Sequence, residues 1–276
     1  MSRATVSHAL AGAHTLGVDR LDAQLLLLHA LGKPPGERAW LLAHDDDELD
    51  EPTASRFRDF SLKRSAGVPL AYLVGSKEFF GLNFSVDERV LVPRPDTETL
   101  VQWALEVLQA ASHESPAVLD LGTGSGAVAI AIARHSRTSV TAIDSSTGAL
   151  AVATHNAAQL GANVQFALSH WFDNVTGQFQ VIVSNPPYVA SNDPHLAALR
   201  HEPLSALAAG PDGLSDIRRI IDQAPNHLAA RGWLLLEHGY DQAAAVCNLL
   251  RQRGFTGVQS RNDLAGIARC SGGVWV

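Results

Sequence analysis

The sequence is poor in cysteine, with only Cys247 and Cys270 among 276 residues. Two cysteines cannot form the disulfide framework of a small secreted protein, and we expect a reducing compartment. Lys and Arg form no cluster and the formal net charge is -7, which disfavours an electrostatic grip on nucleic acid. The sequence also lacks a signal-peptide core and any apolar run of about 18 residues. We therefore expect a soluble, cytoplasmic, monomeric protein that binds neither membranes nor nucleic acid directly.

Metal-binding patterns are missing as well. The twelve His residues are scattered, and neither a His-Glu-x-x-His nor a Cys-x-x-Cys spacing occurs, so no metal site is expected. Hydrophobic residues, in contrast, make up 46% of the sequence. That share, over this length, is enough for a full core in one large domain or two smaller ones.

Residues 1–75 predict a small N-terminal helical domain. Apolar residues at helical spacing indicate a first helix at Val6, Leu10 and Ala13 and a second that Asp19 can cap. Two more helices are expected at 37–43 and 53–64, and no alternation of strands and helices occurs here. Such a domain could merely stabilise the core, or it could dock a protein substrate.

The segment 76–95 changes to the period of a strand. Apolar residues alternate from Phe80 to Val86, which predicts a strand with one buried face. A turn at 87–89 followed by a second strand at Val90–Val92 would make a β-hairpin linker to the following domain. Asp96 or Thr97 can then cap a helix through Ala111, at the start of a second domain at 96–276.

The second domain opens with a strand, a glycine-rich turn and a buried helix. Val118–Leu121 is the strand, Gly122, Thr123, Gly124, Ser125 and Gly126 are the turn, and Ala127–Ala133 is the helix. This arrangement is typical of nucleotide-cofactor sites, because glycines allow close approach and the helix N-terminus has free N–H groups. The Gly-x-Gly-x-Gly spacing differs from the Gly-x-Gly-x-x-Gly of dinucleotide sites, which disfavours an NAD-dependent dehydrogenase.

Asp144 ends the next strand, Val140–Ile143, about 20 residues past the turn, where a ribose-binding carboxylate is expected. Five further strands are predicted, with the last two close together as an antiparallel hairpin. The fold is thus an α/β, Rossmann-like, seven-stranded, mostly parallel sheet with its last strand antiparallel. Trp171 follows the third strand of this sheet and could pack on an adenine or anchor the core.

The four residues Asn185, Pro186, Pro187 and Tyr188 follow the strand Phe179–Val183. The prolines end the strand, which leaves an amide at its carboxyl end, where open α/β sheets bind ligands. The Asn185 side-chain carbonyl and the Pro186 main-chain carbonyl are two acceptors, and Tyr188 adds a flat ring. These four residues can hold a planar amide or amine, although the same residues are also typical of a turn with a surface tyrosine.

The turn, Asp144 and the tetrapeptide 185–188 together resemble class I S-adenosylmethionine-dependent methyltransferases that modify amino and amide nitrogens. The match narrows with the segments 77–80, 90–98 and 202–214 and with the helical N-terminal domain. These features resemble the peptide chain release factor glutamine methyltransferases (HemK/PrmC family), and the resemblance covers nearly the whole chain.

The resemblance implies a methyl transfer from S-adenosyl-L-methionine to the side-chain nitrogen N5 of the Gly-Gly-Gln glutamine in release factors 1 and 2, with S-adenosyl-L-homocysteine as product. It implies that Asn185 and Pro186 are catalytic and that 185–188 hold the glutamine. The cofactor would be held by Gly122, Thr123, Gly124, Ser125, Gly126, Asp144, Trp171 and Asn185. Asp120 could help to organise that pocket, and the N-terminal domain and hairpin would dock the release factor. His170 stands where the family usually has Asp.

Three other functions remain open at this point. The same tetrapeptide could methylate a glutamine of a ribosomal protein or an exocyclic amine of DNA or RNA, which would have to be flipped out. The net acidity disfavours nucleic acid, and the segments 90–98 and 202–214 disfavour a ribosomal protein only by resemblance. A nucleoside-sensing module without turnover would leave the paired acceptors of the tetrapeptide unexplained.

Overall fold

The computed structural model describes residues 4–110 and 116–276. Contacts divide the chain into two compact units, Met1–Ser76 and Lys77–Val276, here called the N-terminal and C-terminal units. The first three residues of the predicted helical domain lie outside the described residues.

The N-terminal unit is helical. Its helices are α1 (Val6–Thr15), α2 (Arg20–Ala30), α3 (Arg38–Ala43), α4 (Glu51–Ser65) and a short α5 (Leu70–Val74). The side chains of Thr5, Asp19 and Asp50 accept main-chain N–H bonds at the starts of α1, α2 and α4, which satisfies donors that a helix start leaves free. Leu26, Leu27 and Leu28 of α2 are fully buried and lie in the core of this unit.

The structure contains a β-hairpin in the predicted segment but corrects its strands. These are β1 (Ser76–Phe79) and β2 (Leu82–Ser85), while Val90–Val92 lie in a turn and extended loop. The hairpin turns at Phe80 and Gly81, with φ of 51° and 74°, and positive φ at both central residues suits a two-residue hairpin turn. The alternation that predicted one long strand therefore runs through a turn.

The C-terminal unit carries the predicted sheet. Its further elements are α6 (Glu98–Ala110), β3 (Ala117–Leu121), α7 (Ala127–His135), β4 (Ser139–Asp144), α8 (Thr147–Leu160), β5 (Val164–Leu168), β6 (Phe179–Ser184), α9 (Ser215–Gln223), β7 (Leu228–Glu237), α10 (Ala243–Arg253), β8 (Thr256–Asn262) and β9 (Ala268–Val274). Ala111, the predicted end of α6, lies outside the described residues.

The strand order in the sheet is β5-β4-β3-β6-β7-β9-β8. Strands β3 to β7 pair in parallel, and β9 runs antiparallel to both β7 and β8, which confirms the predicted Rossmann-like sheet with an antiparallel last strand. β3 lies between β4 and β6, so the chain changes direction across the sheet at β3. Ligands of open α/β sheets bind at such a point, outside the carboxyl ends of the strands.

Candidate active site

A cleft of about 420 Å³ opens at the carboxyl ends of β3, β4 and β6. In the sheet register, Leu121 pairs with Ile143 on one side and with Ser184 on the other. The next residue of each strand or turn therefore reaches the same edge of the sheet. Among the predicted site residues, those that line the cleft are Gly122, Thr123, Gly124, Ser125, Asp144, Trp171, Asn185 and Pro187.

The glycine-rich turn has the left-handed backbone that its glycines permit. Gly122, Gly124 and Gly126 have φ of 71°, 55° and 82°, a region costly for residues with a Cβ. A Cβ on Gly126 would lie 2.8 Å from Ile130 Cδ1, whereas one on Gly124 would meet nothing within 4 Å. Gly126 thus serves the close packing of α7, and Gly124 leaves open space beside the cleft.

Asp144 fixes the glycine-rich turn from the neighbouring strand. Its Oδ2 accepts the Gly124 N–H at 2.9 Å and its Oδ1 accepts the Ser146 N–H at 2.9 Å. A carboxylate has about four acceptor positions, so two acceptor positions remain. Since Asp144 is half-buried at the cleft, it can also accept hydrogen bonds from the hydroxyls of a bound ribose.

A second carboxyl, Asp120, lies beneath the turn and is 1% exposed. Its Oδ2 accepts the Thr123 hydroxyl at 2.7 Å. Burial raises the pKa of Asp120 from 3.8 to about 7, the Asp144 charge also raises it, and hydrogen bonds from Thr123 and the Ala129 N–H lower it. The cleft therefore has a carboxyl whose charge a cationic ligand would stabilise.

Trp171 packs against the glycine-rich turn, because a Cβ on Gly122 would lie 3.4 Å from its ring. Its φ is 51°, and its indole Nε1 donates to Asp216 Oδ1 at 3.1 Å. The ring is 8% exposed yet borders the cleft. Trp171 therefore belongs both to the core and to the cleft wall, and its packing on an adenine stays a prediction.

The amide of Asn185 is held in one orientation. Its Nδ2 donates to Thr97 Oγ1 at 3.2 Å, and Thr97 is 4% exposed. With the NH₂ group used in this way, the carbonyl Oδ1 of Asn185 remains the pole of the amide that can accept from a ligand.

The rest of the tetrapeptide divides between the cleft and the interior. Pro187 borders the cleft, while Pro186 is buried and does not line it. The hydroxyl of the half-buried Tyr188 donates to Glu237 Oε1 at 3.4 Å. The pKa of the Tyr188 phenol is raised, first by burial and then by the Glu237 carboxylate, so this hydroxyl stays protonated as a donor.

A loop at 90–94 forms another wall of the cleft. The Glu202 carboxylate, 7% exposed, accepts the Val92 N–H at 3.0 Å and pairs with the Arg94 guanidinium. The first contact satisfies a main-chain donor that strand pairing would otherwise have satisfied, and the second pairs two opposite charges. The resemblance pointed to both segments, but their direct contact is a finding of the structure.

Several residues of the site carried no signal in our sequence interpretation. The sequence predicts Thr97 only as a helix cap, and no motif in it marks Asp216 or Glu237. Asn156 is different, because it occupies the position i+7 in the buried stripe of α8 that starts at Ala149. A polar residue on an apolar helix face is a sequence signal for a buried hydrogen-bonding role.

The side chains of the cleft fit a nucleoside-type methyl donor. The half-buried carboxylate of Asp144 has spare acceptor positions, the indole ring of Trp171 borders the glycine-rich turn, and Gly124 leaves open space that a Cβ would fill. The volume lies within the range of about 300–1,000 Å³ typical of small-molecule sites. Among the described residues, no group of three or more His, Cys, Asp or Glu could hold a metal ion.

Comparisons with known proteins agree with this class. Residues 97–202 match the family described as Methyltransferase small domain, and residues 3–75 match the PrmC N-terminal domain. A crystal structure of a methyltransferase from Pyrococcus furiosus shares the fold, with a TM-score of 0.55 at 20% identity, over 77% of this chain and 97% of that one. The chain is a Rossmann-like methyltransferase that uses S-adenosylmethionine.

Curated relatives narrow the class to one family. The release factor glutamine methyltransferase of Bordetella pertussis is 48% identical over 262 residues, which cover 93% of this chain and 95% of the relative. That of Burkholderia pseudomallei is 47% identical over 267 residues, covering 93% and 92%. This chain belongs to the release factor glutamine methyltransferase family. The described residues include no helix long and apolar enough to cross a membrane.

Proposed function

We propose that this protein transfers the methyl group of S-adenosylmethionine to the side-chain nitrogen N5 of the glutamine in the Gly-Gly-Gln motif of peptide chain release factors 1 and 2. The observation that carries the proposal is the identity of 47–48% over 93% of the chain with relatives named for this activity. Substrates of this kind support a cytoplasmic location, because translation ends in the cytoplasm.

The cofactor lies, in this proposal, along the glycine-rich turn. Asp144 accepts hydrogen bonds from the ribose hydroxyls with the two acceptor positions that Gly124 and Ser146 leave free. The ring of Trp171 packs along the nucleoside, and Asn185 also borders the cofactor. When bound, S-adenosylmethionine supplies an electrophilic methyl group on a cationic sulfur.

The substrate amide is held by the tetrapeptide 185–188. An amide nitrogen is a poor nucleophile, because its lone pair is delocalised into the carbonyl. In the proposal, Asn185 Oδ1 and the Pro186 main-chain carbonyl accept its two N–H groups, and Tyr188 packs against the amide plane. Fixed orientation of reacting groups can supply up to roughly 7–11 kcal/mol of a barrier.

These carbonyl dipoles also stabilise the positive charge that develops on nitrogen during attack. As the new N–C bond forms, the bond between the methyl carbon and sulfur breaks and S-adenosyl-L-homocysteine leaves. No general base is needed in this attack step, since the nitrogen becomes cationic and acidic only once the N–C bond has formed. The proton can then leave to water. No side chain among residues 185–188 is charged at neutral pH, because the raised pKa of the Tyr188 phenol keeps it protonated, and this suits the order of events.

The N-terminal unit, in this proposal, docks the protein substrate. The support is its match to the PrmC N-terminal domain at residues 3–75. It also has a shallow groove lined by Arg20, Leu21, Arg38 and Leu42, with Leu42 67% exposed. The loop at 76–95 and its hairpin would contribute to the same task.

One experiment tests the substrate directly. The purified protein is incubated with labelled S-adenosylmethionine and, in parallel, with each release factor, a release factor whose Gly-Gly-Gln glutamine is alanine, a ribosomal protein mixture, and RNA or DNA. We expect label only on the intact release factors, on the glutamine nitrogen by mass spectrometry. Label on a ribosomal protein or nucleic acid instead would replace this function with one of its alternatives.

A further inference from the structure

Glu237 lies behind the tetrapeptide. It is the last residue of β7, and the preceding Leu236 pairs with Ser184 of β6, so Glu237 reaches the same sheet edge as Asn185. Its side chain is 1% exposed, and its Oε2 has no hydrogen-bond partner in the part of the chain that the structure describes. A buried carboxyl with a free oxygen is costly, which indicates a role beyond packing.

Both polar side chains of the tetrapeptide lead to this carboxyl. The Tyr188 hydroxyl donates to its Oε1 at 3.4 Å. The Thr97 hydroxyl is near enough to the carboxyl to lower its pKa, and Thr97 Oγ1 accepts the Asn185 Nδ2 at 3.2 Å. Glu237 therefore influences Tyr188 directly and Asn185 through one intervening hydroxyl.

With one proton on its hydroxyl, Thr97 can link the charge of Glu237 to the orientation of the Asn185 amide. Because Thr97 Oγ1 accepts from Asn185, its own proton needs another acceptor, and an ionised Glu237, which can only accept, offers one with the Oε2 that has no partner among the described residues. Only the NH₂ group of Asn185 can then face Thr97 Oγ1, which leaves Oδ1 for a ligand. Once Glu237 is neutral, the Thr97 hydroxyl can donate to Oδ1 instead, and the turned amide would present N–H groups to the substrate nitrogen.

We propose that Glu237 is a positioning residue, which acts through Thr97 to keep the carbonyl pole of Asn185 towards the substrate amide. The inference rests on the proposed function of Asn185 and names a residue outside the tetrapeptide that this function requires. Thr97 transmits the orientation, and neither residue touches the reacting atoms.

The surroundings of Glu237 make this arrangement depend on pH. Burial raises the pKa of Glu237 to about 7, the hydroxyls of Thr97 and Tyr188 lower it, the charge of Asp96 raises it, and that of Arg269 lowers it. The thiol of Cys270, opposite Glu237 on β9, has its own pKa raised, first by burial. On acidification through about pH 7 the Glu237 carboxylate gains a proton, and the orientation of Asn185 is released.

The test compares Glu237→Gln, Thr97→Val and Thr97→Ser with the full-length wild type. Thr97→Ser keeps the hydroxyl, and Glu106→Gln, at an exposed carboxyl of α6, is the matched control. We expect Glu237→Gln and Thr97→Val to lose about 10²-fold in kcat, the usual cost of a misplaced reacting group. Calorimetric affinity for S-adenosylmethionine should stay within about twofold, and Thr97→Ser and Glu106→Gln should keep kcat within about threefold.

A second measurement is independent of turnover. The side-chain amide resonances of Asn185, observed by ¹⁵N NMR, should shift with a midpoint near pH 7 in the wild type and lose that transition in Glu237→Gln and Thr97→Val. Variants that fold and retain wild-type kcat, or an Asn185 amide that ignores pH in the wild type, would overturn the proposal. A wild type that methylates no release factor, yet shows the NMR transition, would count against the proposed function alone.

Discussion

Asn156 Nδ2 donates a hydrogen bond to the main-chain carbonyl of Ser125, with 2.9 Å between nitrogen and oxygen. The same amide exchanges two bonds with the main chain of Ser85, at 2.8 Å and 3.0 Å. One fully buried side chain of α8 thus ties the end of the β1–β2 hairpin to the glycine-rich turn. The hairpin is therefore part of the frame of the proposed cofactor site.

Replacing Asn156 by Ala should loosen both segments. Each buried main-chain group left without a partner costs about 1–3 kcal/mol, so the free energy of unfolding should fall by at least that amount in urea denaturation. Affinity for S-adenosylmethionine, measured by calorimetry, should fall as well. The exposed Asn83→Ala on β2 is the matched control and should change neither quantity; equal behaviour of the two variants would contradict the role of Asn156.

Two glycines of the same turn should respond differently to a methyl group. Gly126→Ala should lower the unfolding free energy by roughly 1–3 kcal/mol, because its Cβ would lie 2.8 Å from Ile130 Cδ1 and 3.2 Å from Ala153 Cβ. Gly124→Ala has space around its Cβ. Its unfolding free energy should therefore fall by only about 1 kcal/mol, the cost of holding a residue with a Cβ in the left-handed region. Its methyl would enter the cofactor space, so its affinity loss should exceed its stability loss.

Thermal melts and calorimetric titrations of the two glycine variants make this comparison. If Gly124→Ala bound S-adenosylmethionine as tightly as the wild type, Gly124 would not border the cofactor. If Gly126→Ala proved the more stable variant, Gly126 would not serve the close packing of α7.

Much of the C-terminal unit could be predicted because its signals are local. β3, β4 and β6 are short apolar runs next to glycine, aspartate or proline, and parallel strands bring their carboxyl ends to one sheet edge. The glycine-rich turn, Asp144 and Asn185 meet there for that reason. The antiparallel β9 followed from the short connection after β8.

The remaining features depend on contacts between distant segments. Phe80 looked like a strand residue, yet it has a φ of 51°, and its N–H donates to Glu98 Oε1 at 3.0 Å, eighteen residues later. Val92 has its N–H satisfied by Glu202 rather than by a strand. Glu237 reads in the sequence as an ordinary strand end, and only the structure shows that its buried carboxyl accepts from Tyr188. Sequence spacing contains no information on such pairings.

Asn185 and Asp144 should separate turnover from binding. Asn185→Ala removes the oriented acceptor and should abolish methylation of a release factor while it leaves the calorimetric affinity for S-adenosylmethionine largely unchanged. Asp144→Ala removes the acceptor of the Gly124 N–H and should weaken cofactor affinity by at least about tenfold, or 1.4 kcal/mol. Near-normal methylation by Asn185→Ala would refute its proposed role, and unchanged affinity of Asp144→Ala would refute the ribose site.

The groove of the N-terminal unit should matter only for the intact protein substrate. Leu42→Asp places a charge in the groove and should raise KM for a release factor by about tenfold, the scale of a single interface anchor. Its kcat and its rate on a short Gly-Gly-Gln peptide should match the wild type. Leu62→Asp, a similar change at another exposed leucine, is the control; equal KM values for the two variants would place docking elsewhere.

The buried carboxyl of Asp120 should make the stability of the fold fall as pH rises. Its pKa is raised from 3.8 to about 7, chiefly by burial. Below about pH 4 the group is protonated in both states and contributes no pH dependence. Between about pH 4 and pH 7 the unfolded chain has lost a proton that the folded protein keeps, so the free energy of unfolding falls by about 1.4 kcal/mol per pH unit from this site.

Asp120→Asn removes this contribution, so the variant should gain stability relative to the wild type as pH rises through this window. Urea denaturation at about pH 5 and about pH 7.5 measures the difference. Burial also raises the pKa of Glu237 to about 7, so the unfolding free energy of Asp120→Asn should still fall somewhat as pH rises. The double variant Asp120→Asn, Glu237→Gln should show the weakest pH dependence of the unfolding free energy. A constant difference in unfolding free energy between wild type and Asp120→Asn across the window would mean that Asp120 is ionised in the folded protein.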